Sequence, residues 1–494
     1  MNPISRAWLA PATTAMAAFV LLLLVEFTDG PTSVIASCTG YYSDTTPPST
    51  IRVYHNNPLR GADYQIYTRD FKTYVKESLP WEWAHGQNPA ALQAGAMAVK
   101  TFAWYWVNHG PGGSVGGQCY DVDSTTGFQV WAPCPGLWCN TQPDTDYAIE
   151  QSWNWLLHAS GSIYQSQYRA GCPTDDACPD PSQTDPCGWV NLVPGVGQRM
   201  STNGSQTCAT VNGNGWPRIV STYYYSNPTT PGEHIYGQWH ATMSWGGAPY
   251  SPVSVSGYTW KYRSSNNCGG PTTPVFDYGS PGDIFVVGDW NGDGYHSQGV
   301  ARPGGGTITW FLRNSRTSGN PDFTPFAYGS IGEGDIPVVG DWDGNGTWTI
   351  GVFRNYTWLL RNTNGPGNPD IVVSYGSMGD TPVPGKWKAI SAGQPMTIGV
   401  VRLAASGYLQ WWLRDSNTGG DPTIPVFEYG GYDARPLSGD YLYGGLSQFG
   451  VGVVTDAQSP SGCTTPNPNQ TWLLHVCPCA GPPDMAYFYE LNRP

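Results

Sequence analysis

The chain has 494 residues, too many for one ordinary core, with 23 Lys and Arg against 36 Asp and Glu for a net charge of −13. That balance repels phosphate backbones and anionic headgroups, so nucleic acid is excluded as a natural partner. Only 12% of the residues are charged while Gly (63), Pro (44), Trp (23) and Tyr (30) are plentiful, a composition of turn-rich β structure with much aromatic surface.

In chain order, Arg6 precedes an apolar run from Ala7 to Val25. Residues 1–37 read as an export signal or an N-terminal membrane anchor, which makes the protein secreted or anchored facing outward. The twelve cysteines agree, many of them crowded between Cys119 and Cys208 without a CxxC pair or a His at ligand spacing. They read as disulfides of an oxidising compartment, with pairings open. Residues 38–50 ("YYSDTTPPST" at their end) read as a linker, 51–227 as a mixed α+β region, and 228–274, dense in Pro, Gly and Ser, as a connector.

Within the α+β region, "LPWEWAHGQNPAALQAGAMAVKTFAWYW" (79–106) carries the strongest local signal. Asn88 is an N-cap, Pro89 suits the first helical position, and "NHGPGG" ends the helix at Gly110. Leu92, Ala96, Val99, Phe102 and Trp106 make its buried stripe, and Ala91, Ala94, Gly95 and Ala98 allow close approach of another backbone. Ahead of it Glu82 stands in a loop between Trp81 and Trp83. Aromatic walls strip water from a carboxylate, which raises its pKa and lets it hold a proton to donate; a solvated loop glutamate is the plainer alternative, and Glu77 is a rival.

From residue 275 to 485 the chain repeats. Copies begin at Phe276, Phe326, Val373 and Phe427, and their Tyr-Gly pairs at Tyr278, Tyr328, Tyr375 and Tyr429 recur at a period of about fifty. Short apolar runs such as "IPVVG", "TIGVFR" and "TWLLR" between Gly, Asn and Pro turns are the pattern of propeller blades. Four copies are few for a closed ring; the connector can supply a fifth, or the chain can pair with itself. "DWNGDG" (Asp289, Asn291, Asp293) and "DWDGNG" (Asp341, Asp343, Asn345) place oxygen side chains at alternate positions, which suits calcium or, equally, an Asp/Asn/Gly turn without metal.

The 79–106 stretch resembles the signature of the SpoIID/LytB family (stage II sporulation protein D and amidase enhancers). "DVDSTTGFQVW" (121–131), "GSIYQSQYRAGC" (161–172) and "MSTNG…GWPRIVSTYYY" (200–225) resemble its further segments in order. The repeats resemble FG-GAP-type units. The resemblance implies a multidomain protein, a SpoIID-like α+β domain followed by an all-β, propeller-like array, acting on peptidoglycan glycan strands. It implies Glu82 as the single catalytic acid and then base of a lytic transglycosylase, with no cofactor for catalysis. Trp81 and Trp83, which flank it, are substrate-side candidates, as are Ser124, Gln129 and Tyr168, which fall on the family's polar positions. Gly127 and Phe128 stand where some members carry metal ligands. The alternatives are a non-catalytic enhancer of a cell-wall amidase and a wall-binding adhesin.

Overall fold

Asp70 opens the first helix, α1 (Phe71–Glu82), by accepting the Thr73 N–H, and Trp83 closes it by donating its backbone N–H to Leu79 O at 2.8 Å. Glu82 is therefore the last residue of a helix rather than part of a loop, with Pro80 accommodated in the final turn. In α2 (Pro89–His109) the expected caps are in place: the Asn88 side chain accepts the Ala90 N–H, Pro89 takes the first position and Gly110 follows the last turn. The helix is buried on nearly every side between Ala90 and Trp104, a wider burial than one stripe. Gly95 explains the close approach, since a Cβ there would lie 2.5 Å from the Trp83 ring. α1, α3 (Pro143–Ser152), α4 (Thr202–Thr210) and α5 (Trp216–Val220) pack around α2.

The computed structural model describes residues 41–110, 112–134, 139–159, 162–169, 187, 199–225, 236–238, 240–245, 251–264, 271–388, 393–439, 450–455, 471–475, 483 and 485–488. The apolar N-terminal run and most of the cysteine-bearing insertion lie outside the described residues. Disulfides join Cys134 to Cys139 and Cys187 to Cys208, and among the described residues no cysteine is free. Nor, among them, is any helix long and apolar enough to cross a membrane. The expected linker is anchored: Trp104 Nε1 and Asn108 Nδ2 donate to Ser43 O at 2.8 and 2.9 Å. Thr50–Tyr54 then pairs antiparallel with Ile66–Asp70 and parallel with Val122–Asp123.

Among the described residues from His240 onward, the strands form five four-stranded antiparallel sheets. The first, built from His240–Trp245, Ser251–Ser256, Thr259–Tyr262 and Phe276–Asp277, comes mostly from the expected connector. Phe276 pairs with Trp260, and Phe326 with Trp310, so each sequence copy begins with the fourth strand of the preceding sheet. A Trp on the third strand donates its indole N–H to the carbonyl of the marker tyrosine: Trp260 to Tyr278, Trp310 to Tyr328, Trp358 to Tyr375, Trp411 to Tyr429, at 2.8 to 3.2 Å. Ion pairs Arg302–Asp283, Arg354–Asp335 and Arg402–Asp380, at 2.6 or 2.7 Å, repeat with the same period.

Residues Cys38–Pro494 form one compact unit. Two loops between sheets, one hairpin turn and one strand end meet the helices and the residues flanking them. Ser221 Oγ donates to Ile331 O, Gly215 N to Asn355 Oδ1, Gln93 Nε2 to Gly379 O and Gln151 Nε2 to Ala434 O. Glu150 binds Lys72, Lys76 and, across the same seam, Arg435 at 2.5, 2.9 and 2.8 Å. First strands pack together: Ile284–Gly288 against Ile336–Gly340 and against His240–Trp245, which in turn meets Ala434–Gly439. First-strand residues of the second to fifth sheets, with Gln151, Trp155 and Trp216 from the helical side, surround a cavity of about 240 Å³.

Candidate active site around Glu82

The α1–α2 corner delivers Glu82 to the middle of the helical region. One carboxyl oxygen accepts the backbone N–H of Val130 at 2.7 Å. Desolvation raises its pKa from 4.5 to about 7, only partly offset by the Val130 N–H and by a hydrogen bond from Tyr168. A carboxyl poised there exists in both protonation states near neutral pH, as a group that must give and then retake one proton requires.

Gln129 sets the direction of the Tyr168 proton. Its side chain is wholly buried; Oε1 accepts from Tyr74 Oη at 2.8 Å, and Nε2 donates to Val99 O and to Tyr168 Oη, both at 2.9 Å. Having accepted from Gln129, the Tyr168 hydroxyl has its own hydrogen to give to Glu82. Burial holds both tyrosines above their usual range, so they stay phenols at any working pH. The relay Tyr74–Gln129–Tyr168–Glu82 thus joins α1, α2, the Gln129 loop and the short strand Tyr168–Arg169 through hydrogen bonds with fixed donors.

The aromatic frame divides. Trp83 is fully buried: its indole N–H donates to Ser205 Oγ at 3.0 Å, and its ring packs on Gly95 and lies 5.0 Å from Tyr168. It walls the site from behind and has no face for a substrate, contrary to the substrate-side role expected of it. Trp81 keeps partial exposure, with the Arg60 guanidinium 4.2 Å above its ring. Ser124 is likewise not part of the group. It is wholly buried, and its Oγ accepts the N–H of Asn56 and Asn57, each at 3.0 Å, pinning the loop after the first strand. Glu77 is committed to an ion pair with Arg69 and to the Trp131 indole N–H at 2.8 Å.

The sequence reading missed Tyr74 and the Val130 N–H. Tyr74, Ser78 and Glu82 are four residues apart along α1, one helical face; the signal existed, but Pro80 hid the helix that would have revealed it. It also put Trp106 in the buried stripe and named Phe128 only as standing where some family members carry a metal ligand. Both are half-exposed, and they meet edge to face at 5.1 Å on the far side of Phe102 and Tyr168.

The repeat loops close on themselves. Asp289 accepts the N–H groups of Gly292, Asp293 and Gly294 at 2.7 to 3.0 Å, while Asn291 Nδ2 donates to Asp293. Asp341 accepts from Gly346 N, and Asn345 Nδ2 donates to Asp343 at 3.0 Å. Among the described residues no group of three acid, His or Cys side chains is arranged to hold a metal ion. These hydrogen bonds give each loop the form of an Asx turn. Compared with known proteins, the chain matches no family model and no curated sequence.

Proposed function

We propose that the protein is exported and cuts peptidoglycan glycan strands as a lytic transglycosylase with Glu82 as its single acid and base. The observation that carries this is the Glu82 carboxyl itself, raised by burial to about 7 and held by Val130 N and Tyr168 with no ionised neighbour contributing to the shift. Protonated Glu82 gives its proton to the glycosidic oxygen as the bond from that oxygen to the anomeric carbon breaks. The carboxylate left behind takes the proton of the sugar's own 6-hydroxyl, whose oxygen bonds to the anomeric carbon and closes an internal ring. Protons balance, no water is consumed, and the second carboxylate of a hydrolase is not needed. Tyr168 lends its hydrogen bond to the carboxylate stage, which is the charged one.

The SpoIID-like reading of the helical region belongs to the same proposal, and so does a five-bladed propeller. Five equivalent sheets, first strands in mutual contact and a cavity among them support that reading. The disulfides support an oxidising, extracytoplasmic setting. The test is the full chain and Glu82→Gln incubated with purified glycan strands. The substitution keeps an acceptor for Val130 N and should lower fragment release at least ~100-fold. Equal release by both proteins rules Glu82 out.

A second reading follows from the Val130 hydrogen bond: Glu82 can be a brace for the Gln129–Val130 loop in an enhancer of a cell-wall amidase. In that case neither protein cuts, and both stimulate an added amidase equally.

A further inference from the structure

We propose that Trp106 and Phe128 form a sugar-stacking wall beside Glu82, a binding subsite for the apolar face of one pyranose ring of the glycan. This rests on the glycan reading of the Glu82 site and names the residues that would hold the strand there.

The observation begins on α2. From Ala90 to Trp104 every residue of this helix is buried, yet at Trp106 a large aromatic ring keeps part of its surface open. Tyr105 before it is equally open but stacks on His109 at 4.0 Å, while Val107 and Asn108 return to the core. Phe128, also half-exposed, rests against the Trp106 ring with centroids 5.1 Å apart and planes at 68°. The tip of the Phe128 ring lies near Gly112, and the part of the pair that stays open is an aromatic surface on which a flat, amphipathic ring can stack. Single exposed aromatics are ordinary; a pair held together at the edge of a polar site is not explained by packing alone.

The pair is tied to the chemistry at both ends. Phe102 links Trp106 to Tyr168, at 6.2 and 5.9 Å, and Tyr168 holds Glu82. Phe128 is followed directly by Gln129, the relay residue, and by Val130, whose N–H binds Glu82. A ring stacked on this wall therefore lies along the same loop that positions the carboxyl. The wall carries no charge of its own, which suits a neutral sugar and not an acidic peptide. The Trp106 indole N–H is shut off from solvent and finds no acceptor among the described residues. A small tilt of the indole offers that donor to a hydroxyl or acetamido oxygen of the stacked ring, a gain available only with a ligand present.

The test uses the full chain carrying Glu82→Gln, so that strands are bound and not cut. The probes are a β-linked N-acetylglucosamine hexamer and purified glycan strands, followed by calorimetry and tryptophan fluorescence. Phe128→Ala is the primary variant because Phe128 lies outside every helix and strand; Trp106→Ala is the second. Each should weaken binding about tenfold, Phe128→Tyr should restore it, and the melting temperature of Phe128→Ala should match its parent. In the otherwise wild-type chain the same substitutions should raise KM with little change in kcat, which a merely structural role would not produce. If Phe128→Ala binds and cuts strands as well as its parent, the wall is not a subsite while the Glu82 reading stands. If the parent neither binds nor cuts strands, the Glu82 reading fails and the wall falls with it.

Discussion

Burial raises Glu82 to about 7, and the same burial governs how stability responds to pH. In the unfolded chain this carboxyl titrates near 4.5; in the folded chain it keeps its proton to about 7. Between those values the unfolded state has already released a proton that the folded state still holds. Stability therefore falls as pH rises through that window and levels off above it, by at most about 3 kcal/mol. Glu82→Gln removes the cost, so the variant should be more stable than wild type at pH 8 and equal to it at pH 4; urea unfolding at the two pH values measures this. A pH-independent difference would mean that Glu82 is not the desolvated, protonated group described. Tyr168→Phe removes a bond that favours the carboxylate, so the pH at which glycan cutting declines should move upward, by up to about one unit. Trp83 and Trp81 show what a residue's neighbours in sequence cannot tell: adjacent tryptophans flank the same carboxyl, and only the packing of Gly95 decides that one of them is buried behind it.

Among the elements, α2 was legible because its ends are written in local chemistry, an Asn-Pro start and a Gly stop that act whatever the tertiary context. α1 was not, because Pro80 in its last turn reads as a breaker while the closing Trp83 N–H bond to Leu79 is invisible in sequence. Gly95→Ala should cost about 1–3 kcal/mol, far more than a surface change, because the added methyl meets the Trp83 ring at 2.5 Å; thermal unfolding checks it, and a neutral result would mean that the ring yields freely. The repeats were legible from the Tyr-Gly pairs, whose tyrosine carbonyls take the indole N–H of a Trp in the first four sheets. The first sheet was read only as a fifth copy the connector can supply, although "GYTW" (257–260) parallels "NYTW" (355–358), and Trp260 makes the same bond to Tyr278. Its strands lack the long Asp-containing turn that marks the next two. Those turns close through their own backbone N–H groups, so chelator or added calcium should leave the melting temperature unchanged; a rise with calcium that Asp289→Ala abolishes would contradict the turn reading.

At the level of the whole molecule, the seam between helices and sheets was the least legible part, since each of its bonds joins residues more than a hundred positions apart. Composition and repeats suggested parts in series, whereas the structure puts sheet-linking loops against α2 and beside α5, and strand residues of the fourth and fifth sheets against α3. Glu150 is the clearest joint, gathering Lys72 and Lys76 from α1 and Arg435 from the fifth sheet. Glu150→Gln leaves three cations facing one another with their counter-charge gone. It should cost about 3–5 kcal/mol and lower the unfolding temperature of helices and sheets together. Separate transitions, with only one of them shifted, would show the two parts to be independent.

The central claim is that one carboxyl cuts glycan without water. The direct measurement is mass spectrometry of the products formed by the full chain from purified glycan strands in heavy-oxygen water. The account predicts anhydro-ended fragments carrying no heavy oxygen, and none from Glu82→Gln. Reducing ends labelled with heavy oxygen would show hydrolysis and a second catalytic group, and contradict it.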